Sequence, residues 1–572
     1  MEYSAIFHDM DKRFCYAIDK DLFVIRVQVK KDDMKEVILH YEDKYIPMER
    51  KDTRMTLPMK KVATSQFHDY YEAQLQMHLI CLRYFFEFTD MHGEKVYYGN
   101  YEFDKECITN RDRMFDCPQN LREEEMFEVP QWAANKVVYQ IFPSRFAATQ
   151  PVDKKLWYKA PITPMDDLHG NLRGIIEHLD YMKDLGIDVV YLTPIFRSNS
   201  CHKYDTIDYY QVDPSFGTTE DLKELVQKSH ERGMKVVLDA VYNHTGREFF
   251  AFQDILEKGE KSKYLDWYFI DELPPKGEWG EIPNFKCFGY YGGMPKLNLK
   301  NPEVEKYITD VACYWIKECD IDGWRMDVGD EISHFFWKNF RKAIKAVKKD
   351  MLIIGEIWHY AGDFLEGDEW DTVMNYPFYL NLIDLLADEK IQVSQFVQNL
   401  GYLKGRLNKK CYPLMWNLID SHDTARFLHL CKDNKKKQHL AAAFQLLLPG
   451  MPMIYYGDEY AMPGANDPDC RRGMYWDEEY QDKEMYQWYK KLMQIRKTHA
   501  CIVEGEMMET IANDDEDTIV MIRKNGEETI AMLFNCGSSV KEFHAYAQKY
   551  NLLTDSAFDG KVDGFDAAVI VL

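Results

Sequence analysis

Three carboxylates in this chain each close an apolar run. Asp327 ends Gly323-Trp324-Arg325-Met326-Asp327, Glu356 ends Leu352-Ile353-Ile354-Gly355-Glu356, and Asp423 follows Leu414-Met415-Trp416-Asn417-Leu418-Ile419-Asp420. Arg325 and Asp327 stand two residues apart, so on a strand they point to the same face. A guanidinium beside a carboxylate favours the ionised form, which suits a nucleophile. Glu356 is followed by Ile357 and Trp358, and apolar neighbours raise a carboxyl pKa through desolvation. One acid kept protonated, one kept ionised and a third beside them are the groups that cleave a glycosidic bond. Each acid alone reads equally as a structural ion pair. Three together, with His244 and His422 near similar ends, read as a site.

Something must bring these ends to one place. From about residue 137 to 500, strand and helix patterns alternate. The strand segments begin with Val137-Val138-Tyr139-Gln140-Ile141-Phe142, Val189-Val190-Tyr191-Leu192-Thr193 and Val236-Val237-Leu238-Asp239. The core around Trp324, Ile353-Ile354-Gly355-Glu356 and Val373-Met374-Asn375-Tyr376 follow. Leu414-Met415-Trp416-Asn417 and Met453-Ile454-Tyr455-Tyr456 complete the set. Helical patterns such as Asp221-Leu222-Lys223-Glu224-Leu225-Val226 lie between them. Eight β-then-α units predict an α/β fold, a closed (β/α)8 barrel, in which the C-terminal strand ends share one mouth. Asp239, Arg325, Asp327, Glu356, His422 and Asp423 all fall at such ends. The gap from His244 to about Asn298 is too long for a simple loop and predicts an inserted subdomain at about 245–298.

The barrel, taken as 131–504, is flanked by two β blocks. Residues 1–125 carry Phe23-Val24-Ile25-Arg26-Val27-Gln28-Val29, Tyr84-Phe85-Phe86-Glu87-Phe88 and Lys95-Val96-Tyr97-Tyr98, with a turn at Asp90-Met91-His92-Gly93. These segments predict a β-sandwich. Leu121-Arg122-Glu123-Glu124-Glu125, closed by Pro130, reads as a linker. Residues 505–572 return to β, with a hairpin signal at Lys524-Asn525-Gly526.

Composition narrows the function classes. At 572 residues the chain exceeds one ordinary domain. A net charge of -24 repels phosphate backbones and argues against nucleic acid. No run approaches the ~18 apolar residues of a membrane span, and the N-terminus lacks the pattern of a signal peptide. The 13 cysteines are odd in number and scattered, which fits reduced thiols in a cytoplasm. The 38 Tyr and 12 Trp serve large cores first and sugar stacking second.

The motifs carry a resemblance. The chain resembles the alpha-amylase family of glycoside hydrolases over roughly residues 135 to 500. Asp239-Ala240-Val241-Tyr242-Asn243-His244 resembles the family's first conserved motif, and Gly323-Trp324-Arg325-Met326-Asp327 its second, ending at the nucleophile. Gly355-Glu356-Ile357-Trp358 resembles the third, with the general acid/base. Asn417-Leu418-Ile419-Asp420-Ser421-His422-Asp423 resembles the fourth, with the transition-state-stabilising acid. His202-Lys203-Tyr204-Asp205-Thr206 resembles the segment that places a Tyr under the reacting sugar. Met294-Pro295-Lys296-Leu297-Asn298, with Phe288-Gly289-Tyr290-Tyr291 and Met374-Asn375-Tyr376-Pro377-Phe378, is similar to the neopullulanase, cyclomaltodextrinase and maltogenic amylase group.

The resemblance implies catalytic roles for Asp327, Glu356 and Asp423. It implies substrate contacts for Tyr204, Asp239, His244, Phe288, Arg325, Asp330, Glu331, Trp358, Tyr376, His422 and Arg426. It implies retention of configuration, with the two reacting carboxyl groups about 5–5.5 Å apart. It also implies a homodimer formed through the N-terminal block, which narrows access to the mouth. Two departures stand out. The group's calcium loop is replaced by Arg145-Phe146-Ala147-Ala148-Thr149-Gln150, which has no carboxylate, so calcium is not expected at that loop and no cofactor is required, with calcium at another position left open. Asn243 is taken as barrel support rather than an ion ligand. After the nucleophile the group has Val-Ala-Asn-Glu, whereas this chain has Val328-Gly329-Asp330-Glu331, with added negative charge where acceptor sugars bind.

The leading expectation is a retaining α-glucan hydrolase with some glycosyl transfer, acting on cyclodextrins, maltooligosaccharides, pullulan or starch. An α-1,6-acting oligosaccharide glucosidase or a sugar isomerase on the same barrel is an alternative, and Met294-Pro295-Lys296-Leu297-Asn298 argues against it. A non-catalytic amylase-like binding subunit is the alternative of another class. Binding alone does not require the full acid set.

Overall fold

The eight strand segments form one parallel sheet in the computed structural model, which describes residues 1–47, 53–76, 79–118, 121, 126–277 and 280–572. The strands are β1 (Val138–Ile141), β2 (Val189–Leu192), β3 (Lys235–Ala240), β4 (Gly323–Met326), β5 (Leu352–Gly355), β6 (Thr372–Val373), β7 (Trp416–Leu418) and β8 (Met451–Tyr455). Their spatial order is β6-β5-β4-β3-β2-β1-β8-β7. A parallel bridge between Met374 and Trp416 joins the two ends and closes the barrel. Apart from Lys235, every strand residue is buried. Such strands read as continuous apolar runs, because helices cover the outer face and side chains fill the inside.

Register sets the positions of the charged groups. Asp239 on β3 pairs with Arg325 on β4, and Met326 pairs with Gly355 on β5. One residue further along, Asp327 and Glu356 leave the strands side by side. Gly355 cannot carry a side chain here, since a Cβ would lie 2.2 Å from the ring of Trp370. The same ring lies 2.7 Å from where a Cβ on Gly329 would stand. Trp370, fully buried, therefore wedges between the strand that ends in Glu356 and the turn that follows Asp327.

The helices between strands have conventional ends. Thr219–Glu231, between β2 and β3, starts on a Thr218/Asp221 capping box. Pro302–Cys319 starts on Asn301 with Pro302 at its first position and ends on left-handed Asp320. The expected insertion lies between β3 and this helix. It holds the helix Phe250–Lys258 and several short turns. Bridges from His244 to Lys296 and from Tyr268 to Leu297 return it to the barrel.

Two compact units divide the chain. One contains Met1–Val129, Ala361–Asp368 and Ile391–Tyr412. Its first part is an antiparallel sandwich. One sheet is built on Leu22–Lys30 and His68–Gln76, the other on Met34–Asp43 and Cys81–Asp90. Ile25, Val27, Val29, Leu39, Tyr84 and Phe86 fill its core. Inside this unit Arg26 is buried and donates to the carbonyls of Gly405 and Leu407, at 2.7 and 2.9 Å. Residues 122–125 of the expected linker lie outside the described residues. The second unit holds the barrel and a six-stranded antiparallel sheet within Glu506–Val571. In that sheet Thr518–Asn525 and Glu528–Asn535 pair around Gly526, which has φ +59°. This is the hairpin expected from Lys524-Asn525-Gly526. Among the described residues no helix is long and apolar enough to cross a membrane.

Candidate active site

The C-terminal ends of β3, β4, β5 and β7 deliver their charged residues around one arginine. Arg325 is fully buried. Its Nη1 donates to both Asp239 oxygens at 3.0 Å and to Asp327 Oδ1 at 2.9 Å. Its Nη2 lies 2.8 Å from Glu356 Oε1 and 4.0 Å from Asp423 Oδ2. Four carboxylates thus surround a single guanidinium. They border a cavity of about 410 Å3 whose lining includes Tyr204, His244, Asp327, Glu356, Trp358 and Asp423.

Each acid has a distinct set of partners. Asp239 is an anchor, accepting from the hydroxyls of Tyr191 and Tyr204 at 2.7 and 3.2 Å. Asp327 lines the cavity, and its buried Oδ2 has no hydrogen-bond partner among the described residues. Glu356 Oε2 accepts from the backbone N–H of Val328 at 3.0 Å. Val328 holds φ +46°, a left-handed conformation that is strained for a β-branched residue. That strain turns the chain sharply after Asp327 and aims the Val328 N–H at Glu356. Asp423 is the most exposed of the four, with 29% of its side chain accessible. It lies 3.1 Å from His422 Nε2 and 3.2 Å from Arg471 Nη2.

The histidines are neutral. Burial lowers the pKa of both His244 and His422 to about 3. The Gln140 amide donates to His422 Nδ1 at 2.8 Å, which leaves the ring proton on Nε2, facing Asp423 and the Tyr204 hydroxyl. His244 stacks on Phe288, with ring centroids 5.1 Å apart.

The carboxylates respond to burial and to each other. Burial raises the pKa of Glu356, and the charge of Asp423 adds to the shift. For Asp423 burial acts in the same sense, but His422, Arg471 and Arg325 outweigh it and hold the group below its ordinary range. Asp327 departs from the expectation that Arg325 would keep it ionised. Burial drives it well above the usual carboxylate range, with Glu356, Asp239 and Asp423 adding to the effect. One guanidinium charge, divided among four carboxylates, does not offset that repulsion. Asp327 and Glu356 are therefore both easier to protonate than ordinary carboxylates, and their titrations are linked. A nucleophile and an acid of raised pKa at one cavity can carry out a double displacement at a sugar carbon.

Most expected contacts converge on this cavity, and three do not. Tyr204, His244, Phe288, Asp330 and Trp358 line it. Asp239, Arg325 and His422 lie directly beneath it. Tyr376 is fully buried under Trp358, with ring centroids 3.9 Å apart; it supports the indole instead of facing the cavity. Glu331 is outside the lining, where it accepts from Asn243 Nδ2 at 3.2 Å and pairs with Lys296 at 3.6 Å. Arg426 is also outside, for reasons given below. The residues missed by sequence reasoning are Arg471 and Asp467, which line the cavity and pair at 2.8 Å. Their signal was available: a charged cluster, Asp467-Pro468-Asp469-Cys470-Arg471-Arg472, follows the eighth strand.

The residues present do not fit calcium. In the first βα segment, Arg145 is buried and its guanidinium donates to the carbonyl of Asp166. At Asn243, Oδ1 accepts from the ammonium of Lys296. A lysine thus occupies the acceptor that a hard cation would need. Among the described residues no three His, Cys, Asp or Glu side chains converge in a way that could hold a metal.

With this geometry in view, comparison with known proteins is direct. Residues 140–505 match the family model of the alpha amylase catalytic domain, and residues 1–119 match that of the alpha amylase N-terminal Ig-like domain. The chain is 42% identical to a cyclomaltodextrinase of Geobacillus thermopakistaniensis (strain MAS1), covering 95% of this chain and 92% of that one. It is 38% identical to an intracellular maltogenic amylase of Bacillus subtilis (strain 168), covering 96% and 94%. A solved cyclomaltodextrinase structure superposes with a TM-score of 0.94 at 37% identity, covering 100% of each chain.

Two arginines follow the fourth motif, and only one reaches the cavity. Arg426 is fully buried, donates to Asp458 at 2.9 Å and to the Cys470 carbonyl at 3.1 Å, and lies over the rings of Tyr455 and Tyr456. It is a structural clamp on the segment after β8, and the expected substrate contact falls to Arg471. Arg426→Ala should therefore act on stability, with a loss of about 3–5 kcal/mol from the unpaired buried carboxylate. Denaturant melts of the folded variant will measure this.

Proposed function

The chain belongs to the alpha-amylase family of glycoside hydrolases, and from that premise we propose that it is a retaining hydrolase of short and cyclic α-glucans, with some transfer to acceptor sugars. Its substrates are cyclodextrins, maltooligosaccharides and pullulan. The motif Met294-Pro295-Lys296-Leu297-Asn298 and the names of the cyclomaltodextrinase and maltogenic amylase relatives support this class. Asp327 is the nucleophile, Glu356 the general acid/base and Asp423 the stabilising acid. The observation that carries the reading is that Asp327, whose Oδ2 has no hydrogen-bond partner among the described residues, lines one cavity with Glu356 and Asp423.

The chemistry runs in two displacements. Glu356 gives its proton to the leaving glycosidic oxygen while Asp327 Oδ2 attacks the anomeric carbon. Ester formation removes the charge on Asp327, so the pKa of Glu356 falls and its carboxylate can accept a proton from water or from an acceptor sugar. Asp423, held ionised by Arg471 and His422, lies near the positive charge of the oxocarbenium-like transition state. Tyr204 offers a ring to the reacting sugar, and Trp358 and Phe288 flank the aglycone side. Asp330, which lines the cavity 3.6 Å from His359, adds a negative acceptor contact there.

The protein works in the cytoplasm without a metal. The relative named as intracellular and the scattered thiols support the location. The Lys296 ammonium on Asn243 supports metal independence. The N-terminal unit mediates a homodimer that favours short or cyclic glucans. Tyr45, Phe67 and Tyr101, exposed at 66%, 65% and 80%, supply apolar contact area there.

Four outcomes test this reading. Incubation with β-cyclodextrin, pullulan and starch should release small sugars from the first two faster than from starch. NMR of the first product should show the α-anomer, whereas an initial β-anomer would overturn the double displacement. The same assay after EDTA treatment should keep most of its activity, and collapse reversed by calcium would refute metal independence. Light scattering should give twice the chain mass, while a monomer would remove the dimer proposal.

A further inference from the structure

Three tyrosines on the barrel mouth are not accounted for by the catalytic cavity. Tyr158 lies in the segment after β1, and Tyr475 and Tyr480 lie in the segment after β8. These two strands are neighbours. Tyr158 and Tyr480 stack at 4.0 Å with 22° between their planes, and Tyr475 lies 5.5 Å from Tyr480 and 6.1 Å from Tyr158. Tyr480 is 42% exposed, and the other two are partly exposed. Aromatic rings that meet only for packing normally bury their faces. Here Tyr480 keeps 42% of its surface accessible while stacked on Tyr158.

The two segments that carry the rings are fixed. The Asp477 N–H donates to the Tyr158 hydroxyl at 3.0 Å, and the Trp157 indole donates to the Met474 carbonyl at 2.7 Å. The Gln481 amide donates to the carbonyls of Tyr475 and Trp476, at 2.8 and 3.2 Å. The Trp476 indole donates to the Phe146 carbonyl at 2.5 Å. The rings are therefore preorganised, which lowers the entropy cost of binding. The same segment supplies Asp467 and Arg471 to the cavity lining, and Tyr475 follows Arg471 by four residues. Ion pairs of Lys154 with Asp477, and of Lys159 with Asp166 at 2.6 Å, bring donors and acceptors of both signs onto these segments.

We propose that Tyr475, Tyr480 and Tyr158 form a stacking platform for an outer sugar of a linear α-glucan that leaves the cavity past Asp467 and Arg471. The inference rests on the α-glucan reading above. A neutral hexopyranose matches the surface. Its apolar C–H face lies on the exposed ring, and its hydroxyls meet the ion pairs. An anion or an organic cation would face one unfavourable partner in each pair. The platform serves long chains only, because a short one ends inside the cavity.

Kinetics on maltotriose and maltoheptaose with wild type, Tyr480→Ala and Tyr480→Trp test the platform. Tyr480→Ala should raise KM for maltoheptaose about tenfold, the size of one lost ring contact, with kcat unchanged. Its constants for maltotriose should match wild type, and Tyr480→Trp should restore the maltoheptaose KM. Equal losses on both sugars, from unfolding or otherwise, would overturn the proposal, as would no loss on either. A wild-type protein that cleaves neither sugar would overturn the parent reading and the platform with it.

Discussion

The site depends on one guanidinium. Arg325 has no exposed surface and holds Asp239 and Asp327 by hydrogen bonds, with Glu356 at 2.8 Å. Without it, four carboxylates could not share this largely buried site, since unpaired buried charge is costly. With it, repulsion is reduced but not removed, and the raised pKa of Asp327 and of Glu356 follows from that remainder. Acid catalysis at neutral pH needs such a shift. Four carboxylates against one guanidinium leave the cluster three positive charges short of neutrality, and that excess negative charge favours a proton on Glu356 before ester formation and its release after it.

The barrel supplies the geometry that Arg325 requires. Parallel register puts Asp239 beside Arg325, and the next step puts Asp327 beside Glu356. Short strands then release the chain. Val328 turns it at φ +46° and fixes Glu356 through its N–H, and Trp370 closes the space that Gly329 and Gly355 leave open. The strain at Val328 lies between the two reacting acids, where surrounding packing maintains it.

Strand ends were the most legible feature of the sequence. Apolar runs buried on both faces stop where the chain meets the mouth, so the acids that end them could be placed before any coordinates. The hairpin at Gly526 was legible because a left-handed turn position selects its residue. Side-chain direction beyond a strand end was not legible. Arg426 and Arg471 both follow the fourth motif, and only three-dimensional packing shows that Arg426 lies over Tyr455 and Tyr456 while Arg471 reaches Asp423. Tyr376 is expected at the substrate through the resemblance carried by Met374-Asn375-Tyr376-Pro377-Phe378, yet Trp358 stacks on it. The upward pull on the Asp327 pKa was not legible because a two-residue motif reveals one partner, and the shift depends on all four carboxylates.

The central claim is that Asp327 forms a covalent bond to sugar while Glu356 manages the proton. Trapping tests it most directly. A fluorinated α-glucosyl fluoride that reacts quickly and hydrolyses slowly should add one sugar mass to the protein, and digestion with mass spectrometry should place it on Asp327. Label on Glu356 or Asp423, or continued turnover of the reagent with no adduct at any time, would contradict the account.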